Sequence, residues 1–313
     1  MENGIAIIDL GTNTFHLMIA KKTGSSYKII HRERAAVKLG MGGINDGIIL
    51  AGALTRALTT LTRFKSILDE HSIKNMYAFG TSALRNAANA KEITETILKQ
   101  TGIKIDIISG EQEAQYIYEG VKVALGFDLE PNLIIDIGAG SVELIIGNQE
   151  SIFWKKSLEI GAQRLIEKFR LSDPMTEENT QALNDYFNQS FTELLENLKK
   201  YNPRTLAGSS GTFDTLSDIY CAQQGINKGE FDAETPFSKD SFEPIFKELL
   251  NKNREERMRM PGMIDLRVDM IVVGCCLVNY ILNRHDFTAI KVSSYSLKEG
   301  ALAVLTNNGV GHM

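Results

Sequence analysis

The sequence has 313 residues, enough for two domains of about 150 residues each. Its hydrophobic fraction of 43 % and charged fraction of 23 % are typical of a globular protein, and its net charge of −5, with no block rich in Lys and Arg, argues against a general nucleic-acid-binding protein. No apolar run approaches the length of a membrane span, so we expect neither a nucleic acid nor a membrane as partner.

The three cysteines are few and odd in number, which favours a reduced compartment and offers no spacing typical of a metal site. Cys275 and Cys276 lie in an apolar, helix-like run and are expected in a core. The chain enters an apolar strand at once, without a charged leader before an apolar block, so we predict no signal peptide. Together these features predict a cytoplasmic location.

The first part of the chain begins with strand patterns and then alternates helix and strand. Two apolar runs, 5–8 and 15–20, flank Gly-Thr-Asn-Thr and predict a hairpin, and 27–39 predicts a third antiparallel strand. The predicted elements that follow are a glycine-rich loop at 40–47, a helix through Leu54 and Leu68, a strand at 76–80, a helix capped by Thr81 or Ser82 and continuing to about Gln100, a strand at 104–109, and a helix from Glu111 through Leu125. This order is the ribonuclease-H-like arrangement.

The second part starts the same order again at Leu133. Its predicted elements are two strands around a glycine turn, a third strand at 151–156, helices at 161–170 and 176–200, a strand and helix from Thr205, a loop at 225–240, a buried helix at 266–282, a strand at 289–292 and a helix at 296–306. Near the middle of the sequence, the only stretch without helical or strand periodicity is 126–132. We therefore predict an α/β fold with two ribonuclease-H-like (actin-like ATPase) domains, over residues 1–126 and 127–296, with the C-terminal helix, about 297–309, packing back on the first domain.

One strand–turn–strand hairpin occurs twice, 127 residues apart. When Ile5–Ile19 is laid over 133–147, Asp9 matches Asp136 and Gly11 matches Gly138. A repeat of this kind predicts two related domains that face a shared cleft.

Each copy of the hairpin places an Asp before a small-residue turn. Glycine turns can direct several backbone N–H groups one way, and such nests bind phosphate oxygens. One such turn would be ordinary hairpin chemistry, but two equivalent copies favour phosphate binding. The predicted ligands are Gly11, Thr12 and Asn13 in the first turn, Gly138, Ala139, Gly140 and Ser141 in the second turn, and Ser210, Gly211 and Thr212 at a strand–helix junction that forms another potential anion site.

Carboxylates stand at the ends of several apolar strands. An Asp in this position is costly to bury unless it is paired or binds a metal, and oxygen ligands suit Mg²⁺ or another divalent cation. The predicted metal ligands are Asp9, Asp136 and Glu143. The alternative for Asp9 and Asp136 is that they only accept hydrogen bonds from turn amides, and His16, on the strand after the first turn, could be a ligand or a hydrogen-bonded core histidine.

Two charged residues suit the chemistry of phosphate release. Glu113 lies in the first turn of a predicted helix, where the helix dipole favours its ionised form, and it can accept a proton from water. Glu111 shares that turn and is the alternative base. Arg85 follows a strand at a helix start, where its guanidinium can bind phosphate or simply be solvated.

With these residues in place, the chain resembles the exopolyphosphatase/guanosine-pentaphosphate phosphatase family of the actin, heat-shock-ATPase and sugar-kinase superfamily. The resemblance covers nearly the whole sequence. The segments that carry it are 8–16, 81–85 with Asn89, 108–114, 135–143, 209–212, 260–263 with Arg267 and Gly274, and 297–300. By resemblance, Glu113 takes the role of catalytic base, and the chain is similar to short two-domain members of the family.

The sequence departs from the family pattern at a few positions. Ala139 replaces a glycine and narrows the predicted nest, and Val142 replaces a threonine hydroxyl. Gln112 replaces one of two neighbouring glutamates, and Lys38 and Lys298 stand where arginine is usual. These departures bear on rate and chain-length preference more than on the type of reaction.

The resemblance implies a cytoplasmic, Mg²⁺-dependent exopolyphosphatase that works as a homodimer. Guanosine pentaphosphate 5′-phosphohydrolase, using the same centre, is the first alternative. A small-molecule kinase shares the fold, and a catalytically weak polyphosphate or nucleotide sensor is the alternative outside catalysis. Phosphate release, phosphate transfer or tight binding without turnover would discriminate among these classes.

Overall fold

The structure is a computed structural model that describes residues 4–24, 26–229 and 232–306. The chain forms two compact units. The first runs to Gly120 and resumes at Leu297, and the second is Val121–Ser296. The division thus falls inside a helix, upstream of the aperiodic stretch at 126–132 where the sequence predicted a domain boundary.

The elements follow one another as alternating strands and helices. Those up to the division are β1 (Gly4–Leu10), β2 (Thr14–Thr23), β3 (Ser26–Ala36), α1 (Ala51–Glu70), β4 (Asn75–Gly80), α2 (Ser82–Arg85), α3 (Ala90–Thr101), β5 (Ile105–Ile107) and α4 (Gly110–Leu125). Those after it are β6 (Asn132–Ile137), β7 (Val142–Gly147), β8 (Ile152–Leu158), α5 (Ala162–Phe169), α6 (Glu177–Ser190), α7 (Thr192–Tyr201), β9 (Thr205–Ser209), α8 (Ser210–Gln224), β10 (Glu234–Thr235), α9 (Lys239–Asn251), α10 (Arg254–Met258), α11 (Ile271–Leu282), β11 (Ala289–Ser293) and α12 (Leu297–Thr306).

Each unit is built on one mixed sheet. The first has the order β3-β2-β1-β4-β5, with the first two pairings antiparallel and the last two parallel. The second has the order β10-β11-β9-β6-β7-β8, and its β8-β7-β6-β9-β11 portion repeats the same directions. This duplicated order confirms the predicted α/β class with two ribonuclease-H-like sheets. The cleft predicted between the two domains stays a prediction.

Each sheet buries its own apolar core. In the first unit, α1 packs Leu61, Phe64 and Leu68 against that core, and these residues lie on the face that the helical spacing predicts. In the second unit, α11 is buried along its whole length except at Asn279 and Leu282. Within the described residues, no helix is both long enough and apolar enough to cross a membrane.

The helix predicted over 81–100 is wrong as a single element, because it is divided into α2 and α3. The side chain of Asn89, at the start of α3, accepts from the N–H of Ile49 at 3.0 Å and donates to its carbonyl at 2.9 Å. The prediction that the Thr81 side chain caps this helix is also wrong. Thr81 precedes α2 but makes no capping bond, and its hydroxyl lies 3.5 Å from the carbonyl of Leu10 in β1. A distant contact therefore overrides the local helical pattern.

The second unit differs from the prediction in its helices. The helix predicted over 176–200 is interrupted at Phe191, whose backbone leaves helical geometry while its ring packs on Phe187 and Tyr280. The buried helix begins at Ile271, five residues after the predicted Leu266. The short strand β10 lies inside the predicted loop at 225–240, and α9 and α10 fill a stretch that had no predicted element.

Candidate functional site

The first and second turns have the same backbone geometry. The N–H of Gly11 donates to the carbonyl of Thr14 at 3.2 Å, and the N–H of Gly138 donates to that of Ser141 at 3.0 Å. A Cβ on Gly11 would lie 2.8 Å from the Thr14 oxygen, and one on Gly138 would lie 3.1 Å from the Ser141 oxygen. The first turn therefore has no room for a side chain at Gly11, and at Gly138 a side chain would require a shift of a few tenths of an ångström.

In each turn, the same two backbone amides have no acceptor among the described residues. The N–H groups of Thr12 and Asn13 make no hydrogen bond with any residue that the structure describes. Their equivalents in the second turn, Ala139 and Gly140, also have no acceptor among the described residues. Buried backbone donors are nearly always paired, so adjacent free N–H groups in two equivalent turns are the arrangement expected of an anion nest.

The carbonyls of the first turn hold the segment that follows β3. The Asn13 carbonyl accepts from the N–H groups of Val37 at 3.0 Å and Lys38 at 2.8 Å, and the Thr12 carbonyl accepts from Gly40 at 3.0 Å. Thr12 and Asn13 are both buried. The carbonyl groups of Thr12 and Asn13 thus hold the turn in place, while their N–H groups remain available to a ligand.

Two buried hydroxyls of the first hairpin have no hydrogen-bond partner among the residues that the structure describes. Thr12 is 5 % exposed and Thr14 is 6 % exposed, and the Oγ1 atom of each is unsatisfied within the described residues. An unsatisfied buried hydroxyl costs about 1–3 kcal/mol, which a ligand oxygen could recover. Thr14 was not among the predicted ligands, although it stands 127 residues before Ser141, which was. The repeat itself was therefore the signal that could have identified it.

The second turn is fixed against the start of α5. The carbonyl of Gly140 accepts from the N–H of Gly161 at 3.1 Å and from Arg164 Nε at 2.8 Å. The carbonyl of Ala139 accepts from the N–H of Gln163 at 2.9 Å. Ala139 itself packs on the apolar core of the unit and has no left-handed backbone, so the turn accommodates the residue that departs from the family pattern.

The Asp at the end of β6 is held by hydroxyl groups. Ser209, Ser210 and Ser296 all donate to Oδ2 of Asp136, at 2.6, 2.7 and 2.6 Å. Asp136 is 4 % exposed and forms no ion pair within the described residues. Ser209 and Ser210 belong to the small-residue turn predicted as an anion site, whereas Ser296, 160 residues from Asp136, was not predicted. Their bonds to Asp136 were not foreseen. Only the folded sheet brings these donors to one oxygen.

The strand pairing sets one carboxylate opposite another in the second unit. Asp136 faces Glu143 across β6 and β7, whereas Asp9 faces His16 across β1 and β2. Directly opposed residues share one face of a sheet, with Cβ atoms about 4.5–5.5 Å apart. Glu143 is 1 % exposed and accepts from Ser157 Oγ at 2.7 Å.

The oxygen donors of Asp136 and Glu143 suit a hard divalent cation. Mg²⁺ commonly takes only one or two protein carboxylates and fills its other positions with water and phosphate oxygens. Among the described residues, no three His, Cys, Asp or Glu side chains come together as a metal site. The pair in the second unit therefore fits a cation that would share its coordination with water and substrate.

Glu113 and Arg85 form an ion pair in the first unit. Arg85 Nη1 lies 2.8 Å from Glu113 Oε2 and 3.3 Å from the carbonyl oxygen of Ile108. Glu113 is 7 % exposed in the first turn of α4, whereas Glu111 is on the surface. The positive charge favours the carboxylate form of Glu113. Of the two candidate bases, Glu113 is the one that the fold shields and orients.

The strand–helix junction at Ser210 joins the second turn around a small cavity. Ser210 has a φ of 65°, a strained left-handed conformation for a residue other than glycine. Gly138, Ala139, Gly211, Thr212 and Arg267 line part of a cavity of about 20 Å³, enough for about one water. A Cβ on Gly211 would lie 2.1 Å from the Arg267 guanidinium, so this glycine admits the arginine. Arg267 was quoted in the family pattern but was not a predicted site residue.

Comparison with known proteins gives one family and several relatives. The model of the Ppx/GppA phosphatase family matches residues 18–308. The crystal structure of an exopolyphosphatase from Cytophaga hutchinsonii superposes with a TM-score of 0.95 and 40 % identity, covering 98 % of this chain and 99 % of that one. This agreement extends over both sheets.

Two curated relatives carry other names. A bifunctional 3-dehydroquinate synthase/phosphatase of Fusobacterium nucleatum is 31 % identical over 95 % of this chain. A guanosine-5′-triphosphate,3′-diphosphate pyrophosphatase of Photobacterium profundum is 31 % identical over 70 % of this chain. The matched regions span only 46 % and 44 % of these two relatives, so each of them is much longer than the part that it shares.

Proposed function

The chain belongs to the Ppx/GppA phosphatase family, and from that membership we propose that it is an exopolyphosphatase that hydrolyses the terminal phosphoanhydride bond of inorganic polyphosphate. The name of the similar Cytophaga hutchinsonii protein supports this choice of substrate.

The pairs of free N–H groups in the two turns are the observation that carries the proposal. Thr12 and Asn13 in one turn, and Ala139 and Gly140 in the other, present backbone donors without acceptors in the described part of the chain. A polyphosphate chain offers many equivalent anionic oxygens, and a repeated nest for such oxygens suits that repeating ligand. The unsatisfied hydroxyls of Thr12 and Thr14 add donors at the first turn.

Glu113 is the proposed general base. Its carboxylate takes a proton from water, whose oxygen attacks the terminal phosphorus, and the bond from that phosphorus to the bridging oxygen breaks. The products are orthophosphate and a chain shorter by one phosphate. The ion pair with Arg85 keeps the carboxylate charged and directs it. Arg85 is also proposed to contact a substrate phosphate with its guanidinium.

Asp136 and Glu143 are the proposed ligands of Mg²⁺ or a similar cation, and Asp9 stays a predicted ligand. When bound, such a cation would neutralise charge on the phosphate oxygens. The three serines on Asp136 Oδ2 fix the orientation of that carboxylate. Ser210, Gly211 and Thr212 extend the proposed phosphate contacts at the start of α8.

Guanosine pentaphosphate is the second candidate substrate, because the similar Photobacterium profundum protein is named for that class of nucleotide. Its terminal triphosphate presents the same kind of anhydride to the same residues. The proposed base, turns and cation ligands therefore do not separate the two activities.

Phosphate release from three substrates in parallel tests the proposal. We expect release from short polyphosphate, long polyphosphate or both, at a higher kcat/KM than from guanosine pentaphosphate. A higher kcat/KM for the nucleotide would reassign the substrate. No release from any of the three, together with tight polyphosphate binding, would make the protein a sensor.

A further inference from the structure

Lys38 has a strained backbone that is bonded to the first turn. Its φ of 51° lies in the left-handed region, which disfavours any side chain with a Cβ. Its N–H donates to the Asn13 carbonyl at 2.8 Å, and the neighbouring N–H of Val37 donates to the same oxygen at 3.0 Å. Glycine or asparagine would adopt this conformation more readily, so the fold alone gives no reason for lysine here.

Arg56 of α1 holds the carbonyl side of the same segment. Its Nε donates to the carbonyl of Val37 at 2.6 Å and its Nη2 to that of Lys38 at 2.9 Å, while Nη1 donates to Gly52 at 3.1 Å. The amides at 37 and 38 are therefore bound to the first turn and the carbonyls to α1. Together these bonds fix the backbone conformation at Lys38 and therefore the direction in which its side chain begins.

The charge of Lys38 is not neutralised within the described part of the chain. Lys38 is half-buried, and its ammonium makes no hydrogen bond or ion pair with any described residue. By contrast, Lys65 of α1 is paired with Asp69 on its own helix. Lys38 is a half-buried residue whose ammonium has no carboxylate partner among the described residues, and it stands on a strained segment bonded to an anion nest. These features suit an anionic ligand.

We propose that Lys38 binds a phosphate group of the substrate beside the first turn and that Arg56 is the residue that positions it. The inference rests on the proposed function and deepens it, because it adds a cation to the backbone donors of Thr12 and Asn13. The ligand class is a condensed phosphate chain. The ammonium is a mobile point charge, which can follow successive phosphate oxygens without a fixed fork geometry.

The test is direct binding of inorganic tripolyphosphate by calorimetry in EDTA, which separates binding from turnover. Lys38→Asn removes the charge and keeps a residue that tolerates the left-handed region. We expect this change to raise Kd about tenfold and to reduce the salt dependence of Kd, because one cation leaves the interface. Lys38→Arg should keep Kd within about twofold of the original protein. Lys65→Asn, the matched loss of a lysine on α1, should leave Kd unchanged.

A double-mutant cycle tests the positioning role of Arg56. Arg56→Ala alone should raise Kd, and it should add nothing when Lys38→Asn is already present. Equal effects of Arg56→Ala in both backgrounds would show that Arg56 acts independently of Lys38. Thermal unfolding of each variant identifies any change in Kd that comes from loss of fold.

An unchanged Kd and salt dependence in Lys38→Asn would overturn the inference. That outcome would leave the proposed function intact if the original protein still releases phosphate. The original protein could instead release no phosphate, while Lys38→Asn still weakens tripolyphosphate binding. That result would refute the enzymatic proposal and support the binding role of Lys38.

Discussion

Asp136 is a buried carboxylate that hydroxyl groups orient, with no arginine or lysine partner in the described part of the chain. Three serine hydroxyls donate to one of its oxygens, Oδ2, and none of the described residues donates to Oδ1. Hydrogen bonds to a charged acceptor are each worth about 1.5–3 kcal/mol, so the set offsets much of the cost of burial. The oxygen that receives no donor is the one available to a cation or water.

Gly161 is the residue on which the position of the second turn depends. A Cβ there would lie 2.4 Å from the carbonyl carbon of Ala139 and 2.5 Å from its oxygen. Gly161→Ala should therefore displace the turn, raise KM for polyphosphate and lower the free energy of unfolding by about 1–3 kcal/mol. Kinetics and urea unfolding measure the two effects.

Gly52→Ala is the matched control for Gly161→Ala. Its new Cβ would meet nothing closer than 3.7 Å, and alanine favours the helix. It should cost no stability. If Gly161→Ala behaves like Gly52→Ala, the second turn does not need the close approach of α5.

Individual site residues differed in how far the sequence could identify them. Asp136 stands out because a carboxylate follows an apolar run at a position that repeats Asp9, and Glu143 because it interrupts the next apolar run. Glu113 stands out because it lies in the first turn of a predicted helix. Of the serines that hold Asp136, Ser210 lies in a small-residue turn that the sequence singled out, but no local pattern links it or Ser296 to Asp136. The pairing of Arg85 with Glu113 was also not foreseen, because it depends on how α2 and α4 follow their strands.

At the scale of elements, strands were easier to predict than helix boundaries. Apolar runs around the two turns gave the strands directly, since a buried strand tolerates few polar residues. The break between α2 and α3 depends on hydrogen bonds of Asn89 to Ile49, 40 residues away. The buried residues before and after the break at Phe191 continue one helical spacing, so the periodicity of the sequence cannot reveal the break.

The cysteines of α11 predict a pH dependence of stability. Burial raises the pKa of Cys276 to about 12, and burial together with the nearby Cys276 raises that of Cys275 well above its usual value. Because the folded pKa is raised, the thiols stabilise the fold fully below their unfolded pKa, about 8.5, and this contribution is lost as the pH rises through their folded pKa values. The expected loss is about 1.4 kcal/mol per pH unit for each thiol.

Urea unfolding at pH 8, 9 and 10 measures this slope, and Cys276→Ala is its control. The free energy of unfolding should fall less steeply with pH in this variant than in the original protein, and the two slopes should differ by about 1.4 kcal/mol per pH unit. The same slope in both proteins would mean that Cys276 ionises as readily in the folded state as in the unfolded state.

At the scale of the whole molecule, the duplication is the strongest signal in the sequence. Two copies of one hairpin predicted two sheets with the same strand order, and the structure has them. The predicted domain limits, the homodimer and the cytoplasmic location stay predictions. The homodimer depends on which surfaces meet, and a surface can change without changing the periodic pattern that specifies a core.

Removal of divalent cations should stop turnover without unfolding the protein. EDTA should reduce phosphate release to background and added Mg²⁺ should restore it, because Asp136 and Glu143 are the proposed cation ligands. The midpoint of thermal unfolding should change little, since serine hydroxyls already hold both carboxylates. Full activity in EDTA would refute the cation requirement, and a large fall in the midpoint would show a structural metal.

The most direct test of the account is the kinetics of Glu113→Gln with short polyphosphate, with Glu111→Gln as control. Both changes remove one charge from the first turn of α4, but Glu113 is buried against Arg85 and Glu111 is exposed. We predict that Glu113→Gln lowers kcat by about 100-fold or more with KM little changed, and that Glu111→Gln keeps full activity. Full activity in Glu113→Gln, or loss of activity in Glu111→Gln alone, would contradict the assignment of Glu113 as the base.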